Sequence, residues 1–227
     1  MSTWQLLLLE TGPAPGPCAA ALPACLPPDA ELLPASDSAA MAALLDAPST
    51  GDFDLLLLDV HGAQQLMTHG PALPADAPVL VLGEAGPACP WPQTPLATAA
   101  LRIALLQRWR DWMRAKAAPL DGPAPALELN FGGNRAFFET FYLGCRPQFA
   151  LDLQQGDQAL ATGDSEALMH LAHGLKGVLL ILGESLTAVT ARELEHCARE
   201  RWVDQLAPLW AELRGAIAAL AVRPLGL

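Results

Sequence analysis

The first hundred residues of the chain contain no lysine or arginine, and the first basic side chain is Arg102. Ten carboxylates precede it, whereas residues 102–227 contain all 13 basic residues and about as many acidic ones. Proteins that bind nucleic acid through its phosphates use clusters of basic side chains, so the net charge of −11 argues against that class of function. The unequal distribution of charge predicts two domains.

Cysteine is scarce and shows no CxxC spacing; the five residues are Cys18, Cys25, Cys89, Cys145 and Cys197. This scattered set predicts neither a disulfide framework nor a zinc site, and it indicates a reducing compartment. The N-terminus has no basic residue before an apolar run of only four leucines, so it predicts neither a secretory signal nor a membrane span. We therefore expect a cytoplasmic protein without a membrane partner.

Charged residues make up only 16% of the chain and hydrophobic residues 52%, so the chain is able to bury a sizeable core. In the first half, two segments at 38–45 and 95–116 are predicted to be helices. Short apolar segments are predicted to be strands, at 4–9, 54–60 and 78–82. Strands of consecutive apolar residues that alternate with helices predict a parallel sheet covered by helices.

The proline-rich segment 117–125 cannot continue a helix and is predicted to be a linker. Beyond it the hydrophobic residues repeat with a helical period. Five helices are predicted, at 134–143, 148–161, 165–182, 186–200 and 203–221. Asp164 and Ser185 are predicted to cap the third and fourth of these. Five helices with short connections predict an antiparallel bundle.

The helix predicted at 165–182 contains the candidate site. Its predicted core face consists of Leu168, Leu171, Ala172, Leu175, Val178, Leu179 and Leu182. At about 100° per residue, His173 lies about 160° from the centre of that face and should point outward. Lys176 and Gly177 follow on the next turn. An exposed imidazole beside an ammonium suits a phosphoryl carrier, because a ring nitrogen attacks and the cation offsets the phosphoryl charge. From spacing alone, an inert surface histidine remains the alternative.

The run AHGLKGVLLILG at 172–183 resembles the signature of histidine phosphotransfer (Hpt) domains, which is His-x-Leu-Lys-Gly followed by Leu-Gly. The flanking segments 158–168, 191–195 and 198–200 resemble the neighbouring helices of that family. The resemblance implies an all-α Hpt helical bundle that is phosphorylated on His173. It also implies that Lys176 is the charge partner of the phosphoryl group and that Gly177 is a spacer.

The sequence departs from this family at 178–181, where Val-Leu-Leu-Ile replaces residues that are commonly small and polar. Leu180 and Met169 are predicted to leave apolar surface beside His173, which suits the docking of a partner protein. The alternative is that the helix is buried more deeply than is usual in the family. His170 and His173 are three residues apart, but no matching ligand pair is evident elsewhere, so neither a metal nor a cofactor is expected.

In the first half, the segment DLLLLDV at 54–60 resembles the third strand of response-regulator receiver domains, in which the final aspartate accepts phosphate. Segments 4–10, 31–45 and 78–83 resemble the first strand, the second strand with its helix, and the fourth strand. The resemblance implies a receiver-like (flavodoxin-like) α/β fold over residues 1–116.

The receiver site is predicted to be dismantled. Glu10 is followed by Thr11 instead of a second acid, and Gly83 replaces the hydroxyl residue that ends the fourth strand. The lysine that ends the fifth strand in receivers cannot be present, because no basic residue precedes Arg102. Without these groups Asp59 is not expected to act as a phosphoacceptor. A pseudo-receiver that serves as a scaffold, a dimerisation surface or a partner-binding module is expected instead.

The predicted organisation is a pseudo-receiver domain at 1–116, a linker at 117–125 and an Hpt bundle at 126–227. The predicted function is a phosphorelay carrier, not an enzyme, whose His173 takes a phosphoryl group from a receiver aspartate and passes it to a response regulator. The expected partners are receiver domains and a hybrid histidine kinase, and the receivers would supply Mg²⁺. The alternative is a signalling adaptor without phosphotransfer. A histidine kinase is disfavoured because no glycine-rich ATP-lid motif is present.

Overall fold

The computed structural model divides into two compact units, Met1–Trp109 and Arg110–Leu227. It describes residues 3–11, 16–27, 29–46, 53–69, 73 and 78–224. The division falls inside one helix, Thr98–Ala117. The predicted domain limits at residues 116 and 126 remain predictions.

The first unit contains a five-stranded parallel sheet with the strand order β2-β1-β3-β4-β5. The strands are β1 (Trp4–Leu9), β2 (Ala30–Ala35), β3 (Leu55–Asp59), β4 (Val79–Leu82) and β5 (Gln93–Thr94). This order is that of flavodoxin-like folds, so the predicted α/β fold is confirmed. Strands β1, β3 and β4 are almost entirely buried, which explains why they consist of continuous apolar runs.

Helices connect these strands and cover the sheet. They are α1 (Pro17–Ala21), α2 (Ser38–Asp46), α3 (Val60–His69) and α4 (Thr98–Ala117). Met41 of α2 and Ala63 and Leu66 of α3 pack into one core cluster with leucines and valines of β1, β3 and β4. In doubly wound sheets of this order the carboxyl ends of the strands form the edge at which sites lie.

The second unit is a bundle of helices, as predicted. It contains α5 (Pro123–Phe131), α6 (Arg135–Thr162), α7 (Ser165–Leu182), α8 (Ser185–Arg199) and α9 (Val203–Val222). The predicted break between helices at 134–143 and 148–161 is wrong, because α6 is continuous and contains Pro147. An internal proline costs a helix about 3 kcal/mol; packing against α7 and α9 offsets that cost along this helix.

The segment that precedes α5 is attached to the turn between α7 and α8. The Asp121 carboxylate accepts a hydrogen bond from the Leu186 amide at 2.9 Å, and the Ser185 hydroxyl donates to the carbonyl of Leu120 at 3.1 Å. The Gly122 amide donates to the carbonyl of Gly183. The first amides of a helix need external acceptors, and here Asp121 supplies one to α8. Ser185, predicted to be the N-cap, is instead the first helical residue.

Helix α8 is the most deeply buried helix of the bundle. Eleven of its fifteen residues are buried, and it packs against both α7 and α9. One of the buried residues is Glu193, which is 3% exposed and forms an ion pair with Arg110 Nε of α4 at 2.5 Å. Burial raises the pKa of Glu193, and the hydrogen bond from Arg110 only partly offsets that rise. The C-terminal part of α4 therefore neutralises a carboxylate inside the bundle.

Candidate functional site

Helix α7 presents a buried face and an exposed face. The buried residues are Leu168, Ala172, Leu175, Leu179 and Leu182, as predicted. Leu171 and Val178, which were predicted to be core residues, are only half-buried and line an open groove of about 820 Å³ between α6 and α7. The Asp164 carboxylate caps the start of α7 by accepting from the Ala167 amide, which confirms its predicted role. His173 lies on the exposed face, and its side chain is 67% exposed.

The imidazole of His173 is held by a carboxylate of the neighbouring helix. His173 Nδ1 lies 2.9 Å from Oε1 of Glu195, which α8 places opposite α7. Glu195 is only 5% exposed. Lys176 Nζ donates to Glu195 Oε2 at 2.6 Å, and Arg199 Nη2 donates to Oε1 at 2.6 Å. One buried carboxylate therefore joins the imidazole, an ammonium and a guanidinium.

The Glu195 carboxylate is ionised in this arrangement. Burial acts to raise its pKa, but the hydrogen bonds from Lys176 and His173 outweigh burial and hold the pKa below its usual range. An ionised carboxylate only accepts hydrogen bonds. In the neutral imidazole Nδ1 of His173 must therefore carry the ring proton, and Nε2 carries the lone pair. This second nitrogen belongs to a largely exposed ring, so its lone pair is accessible from outside the bundle.

The surface around His173 is open. A Cβ atom added at Gly174 or at Gly177 would meet no heavy atom within 4 Å. The packing of the bundle therefore does not require glycine at these two positions. The open space at Gly177 is compatible with the predicted spacer role, which stays a prediction.

The two residues predicted to flank His173 differ in exposure. Leu180 is 44% exposed, and its neighbour Ile181 is 39% exposed, so α7 carries apolar surface two turns beyond the histidine. Met169 is half-buried and lines a cavity of about 570 Å³ together with Arg199. The apolar surface is thus concentrated on the Leu180 side.

No role was predicted for Glu195 or Arg199. The segments that contain them, 191–195 and 198–200, were predicted only to resemble a helix of the family. The one local signal is the spacing of the pair, because an acidic and a basic residue four apart share one helix face. That signal does not show that the face is turned toward His173.

The second unit is a helical bundle that presents an exposed histidine bound to a buried carboxylate. The family model of the Hpt domain matches residues 147–222, which include all of α7 and α8 and about a third of the chain. No curated protein and no solved structure matches the chain. The match to the Hpt family model supports an Hpt domain in the second unit and, with it, a phosphotransfer role in two-component signalling. Hpt domains are phosphocarriers rather than enzymes, and they interact with receiver domains and histidine kinases.

Within the described residues, one helix, Ser165–Leu182, is long and apolar enough to cross a membrane by length and composition. It is α7, which packs against α6 and α8 in the bundle. No group of three or more His, Cys, Asp or Glu side chains in the described ranges is placed to hold a metal ion.

In the first unit, the carboxyl ends of the strands bring the residues of the predicted pseudo-receiver site to one edge. Asp59 at the end of β3 accepts hydrogen bonds from the Thr11 amide at 2.9 Å, from the Thr11 hydroxyl at 3.1 Å and from the Gly62 amide at 2.5 Å. Both of its oxygens are occupied. Glu10 instead accepts from the amides of Cys18 and Ala19 in α1, at 2.6 and 3.0 Å. At the end of β5 stands Thr94, which is buried.

We expect that acetyl phosphate with Mg²⁺ leaves Asp59 unmodified. Its carboxylate oxygens are held by Thr11 and Gly62, and the uncharged Thr94 cannot stabilise a phosphoryl group as a lysine does. Peptide mass spectrometry after a long incubation, with Asp59→Asn as the blank, measures any aspartyl phosphate. Stoichiometric phosphate at Asp59 would show that this unit retains receiver chemistry.

Proposed function

We propose that the protein carries a phosphoryl group on Nε2 of His173, taking it from the aspartyl phosphate of a receiver domain and passing it to a response regulator. The observation that supports this most directly is the hydrogen bond from Nδ1 to Glu195, since it leaves the lone pair on the exposed nitrogen. The domain is a carrier with a phosphohistidine intermediate and has no turnover of its own. A cytoplasmic location fits this role and remains a prediction.

In the transfer step, the Nε2 lone pair attacks the phosphorus of the partner's aspartyl phosphate. The Nε2–P bond forms while the P–O bond to aspartate breaks, and its electron pair returns to the partner's carboxylate. The ring keeps its proton on Nδ1 and gains positive charge, which the Glu195 carboxylate stabilises through a charge-assisted hydrogen bond. The reverse sequence delivers the phosphoryl group to a second aspartate.

Two groups of this chain have separate parts in that step. Glu195 fixes the tautomer and the orientation of the imidazole, and its burial in α8 holds it in place. Lys176 is only 19% exposed and already lies one turn from His173, so its charge offsets that of the incoming phosphoryl oxygens. The Mg²⁺ that receivers bind belongs to the partner's site.

The docking and the transfer should respond to different substitutions. We expect Leu180→Glu to weaken the complex with a receiver about tenfold or more, because it places a charge in apolar surface that the partner would cover.

We expect Lys176→Ala to slow transfer by about tenfold to a hundredfold with near-normal affinity, because the charge of Lys176 is most useful in the transition state.

Both variants would be compared with Val222→Glu, which adds the same charge at an exposed position of α9, a helix that packs against α6 and α8. The measurements are the affinity for purified receiver domains and single-turnover transfer from receivers loaded with acetyl phosphate. A wild-type rate in Lys176→Ala refutes the role of that lysine. If the wild type binds receivers tightly but never acquires phosphate, the protein is an adaptor.

A further inference from the structure

The site contains more positive charge than its carboxylate neutralises. Glu195 supplies one negative charge, and both Lys176 and Arg199 donate to it. With the imidazole neutral, one positive charge remains unbalanced in this group of four residues. The surplus lies beside the nucleophilic ring.

The two cations come from different helices and bind different oxygens of Glu195. Lys176 follows His173 by one turn of α7 and binds Glu195 Oε2. Arg199 binds Oε1, the same oxygen that His173 Nδ1 contacts, and lines a cavity with Met169, which is one turn before His173. The imidazole therefore shares one carboxylate with an ammonium and a guanidinium.

The two cations also differ in freedom to move. Lys176 is 19% exposed, whereas Arg199 is 44% exposed. If Arg199 left Glu195, the carboxylate would still be paired with Lys176 and with the Nδ1 proton of His173. An i,i+4 ion pair of a half-exposed arginine contributes only about 0.3–0.5 kcal/mol, so stability alone gives little reason for a second cation here.

We propose that Arg199 is a second phosphoryl-binding residue, which moves from Glu195 to the phosphoryl oxygens as these form on His173. This inference rests on the proposed function of His173. A guanidinium presents paired donors that match two oxygens of a phosphoryl group, and it remains charged at any working pH. Lys176 and Arg199 then both offset the charge of the phosphoryl group, while Glu195 still accepts the hydrogen bond from Nδ1.

The test uses phosphoramidate as the donor, so that partner docking does not enter the result. The Nε2 lone pair attacks phosphorus, the P–N bond of the donor breaks, and ammonia leaves with its electron pair. The full chain is phosphorylated, and peptide mass spectrometry then measures the phosphate on His173. His170, which is 70% exposed on the same helix, serves as an internal reference for an ordinary histidine.

We expect Arg199→Ala to slow phosphorylation of His173 about tenfold, the loss that fits one charge-assisted hydrogen bond, without changing the rate at His170. The phosphorylation rate of Arg199→Lys should lie between those of the wild type and Arg199→Ala, because lysine keeps the charge but loses the paired donors. The matched control is Arg214→Ala, which removes one exposed arginine of α9 that is paired with Asp157. It should react like the wild type.

Repeating the comparison in a Glu195→Gln variant distinguishes a direct contact between Arg199 and the phosphoryl group from an effect that Arg199 has through Glu195. Glu195→Gln keeps an oxygen that accepts from Nδ1 but removes the ion pair with Arg199. If Arg199 contacts the phosphoryl group, Arg199→Ala also slows the reaction in this background. A loss of the effect there, or no effect in the wild type, overturns the inference while His173 remains the acceptor. If wild-type His173 reacts no faster than His170, the proposed function fails as well.

Discussion

The substitution His173→Gln is expected to abolish phosphate uptake while leaving the fold and the stability of the bundle unchanged. Glutamine has no nucleophilic ring nitrogen, but its amide group is still able to donate a hydrogen bond to Glu195. The His173 side chain is 67% exposed and contributes nothing to the buried face of α7. Surface substitutions of this kind usually change the free energy of unfolding by less than about 0.5 kcal/mol.

The matched control is His170→Gln on the same helix. The His170 side chain is 70% exposed and lies 3.9 Å from the exposed carboxylate of Glu166, without a buried partner. Acid-labile phosphate, measured after incubation with phosphorylated receiver domains, should be absent in His173→Gln and normal in His170→Gln. Uptake that persists in His173→Gln would show that the phosphoryl group is carried elsewhere.

The substitution Arg110→Ala is expected to destabilise the bundle by about 3 kcal/mol, although it lies in a helix that the sequence assigns to the first half. It removes the ion-pair partner of Glu193, and breaking a buried pair on one side typically costs about 3–5 kcal/mol. Arg110 itself is 28% exposed, so we expect the lower end of this range. Urea unfolding followed by circular dichroism measures the loss.

The control for this variant is Arg114→Ala. Its partner Glu212 is 41% exposed and also accepts from the Thr190 hydroxyl, so the loss should be about 1 kcal/mol or less. The loss in the free energy of unfolding of Arg110→Ala should also depend on pH. Burial already raises the pKa of Glu193, and loss of Arg110 raises it further.

A raised carboxyl pKa means that the folded state binds the proton more tightly than the unfolded state does. The penalty is then complete above the folded-state pKa and disappears as the pH falls through it toward the usual carboxyl range. The deficit of Arg110→Ala should therefore shrink between neutral pH and about pH 5. A deficit that stays constant over this range would mean that the loss comes from packing instead of from the charge of Glu193.

The elements that the sequence predicts well are those with a local signal. The buried face of α7 follows from helical periodicity, and the sheet of the first unit follows from three continuous apolar runs. The Asp164 cap is a local pattern as well. In each case the residues that determine the structure are neighbours in the chain.

The parts that the sequence does not predict depend on tertiary contacts. The hydrogen bond between Glu195 and His173 requires the register of α8 against α7, over a separation of 22 residues. Pro147 predicts a helix break that packing overrides. The β5 strand has only two residues, and it forms because Gln93 and Thr94 pair with β4. None of these contacts can be recognised from the hydrophobic periodicity of the local sequence.

The burial of α8 determines how firmly the imidazole is oriented. Amide groups of a helix with eleven buried residues exchange their hydrogens mainly when the whole domain unfolds. Glu195 on this helix is therefore expected to stay in place until the bundle opens, whereas His173 on the surface of α7 moves on the timescale of exposed side chains. The exposed imidazole is thus oriented by a carboxylate on the most deeply buried helix of the bundle, and its tautomer is set whenever the ring contacts Glu195.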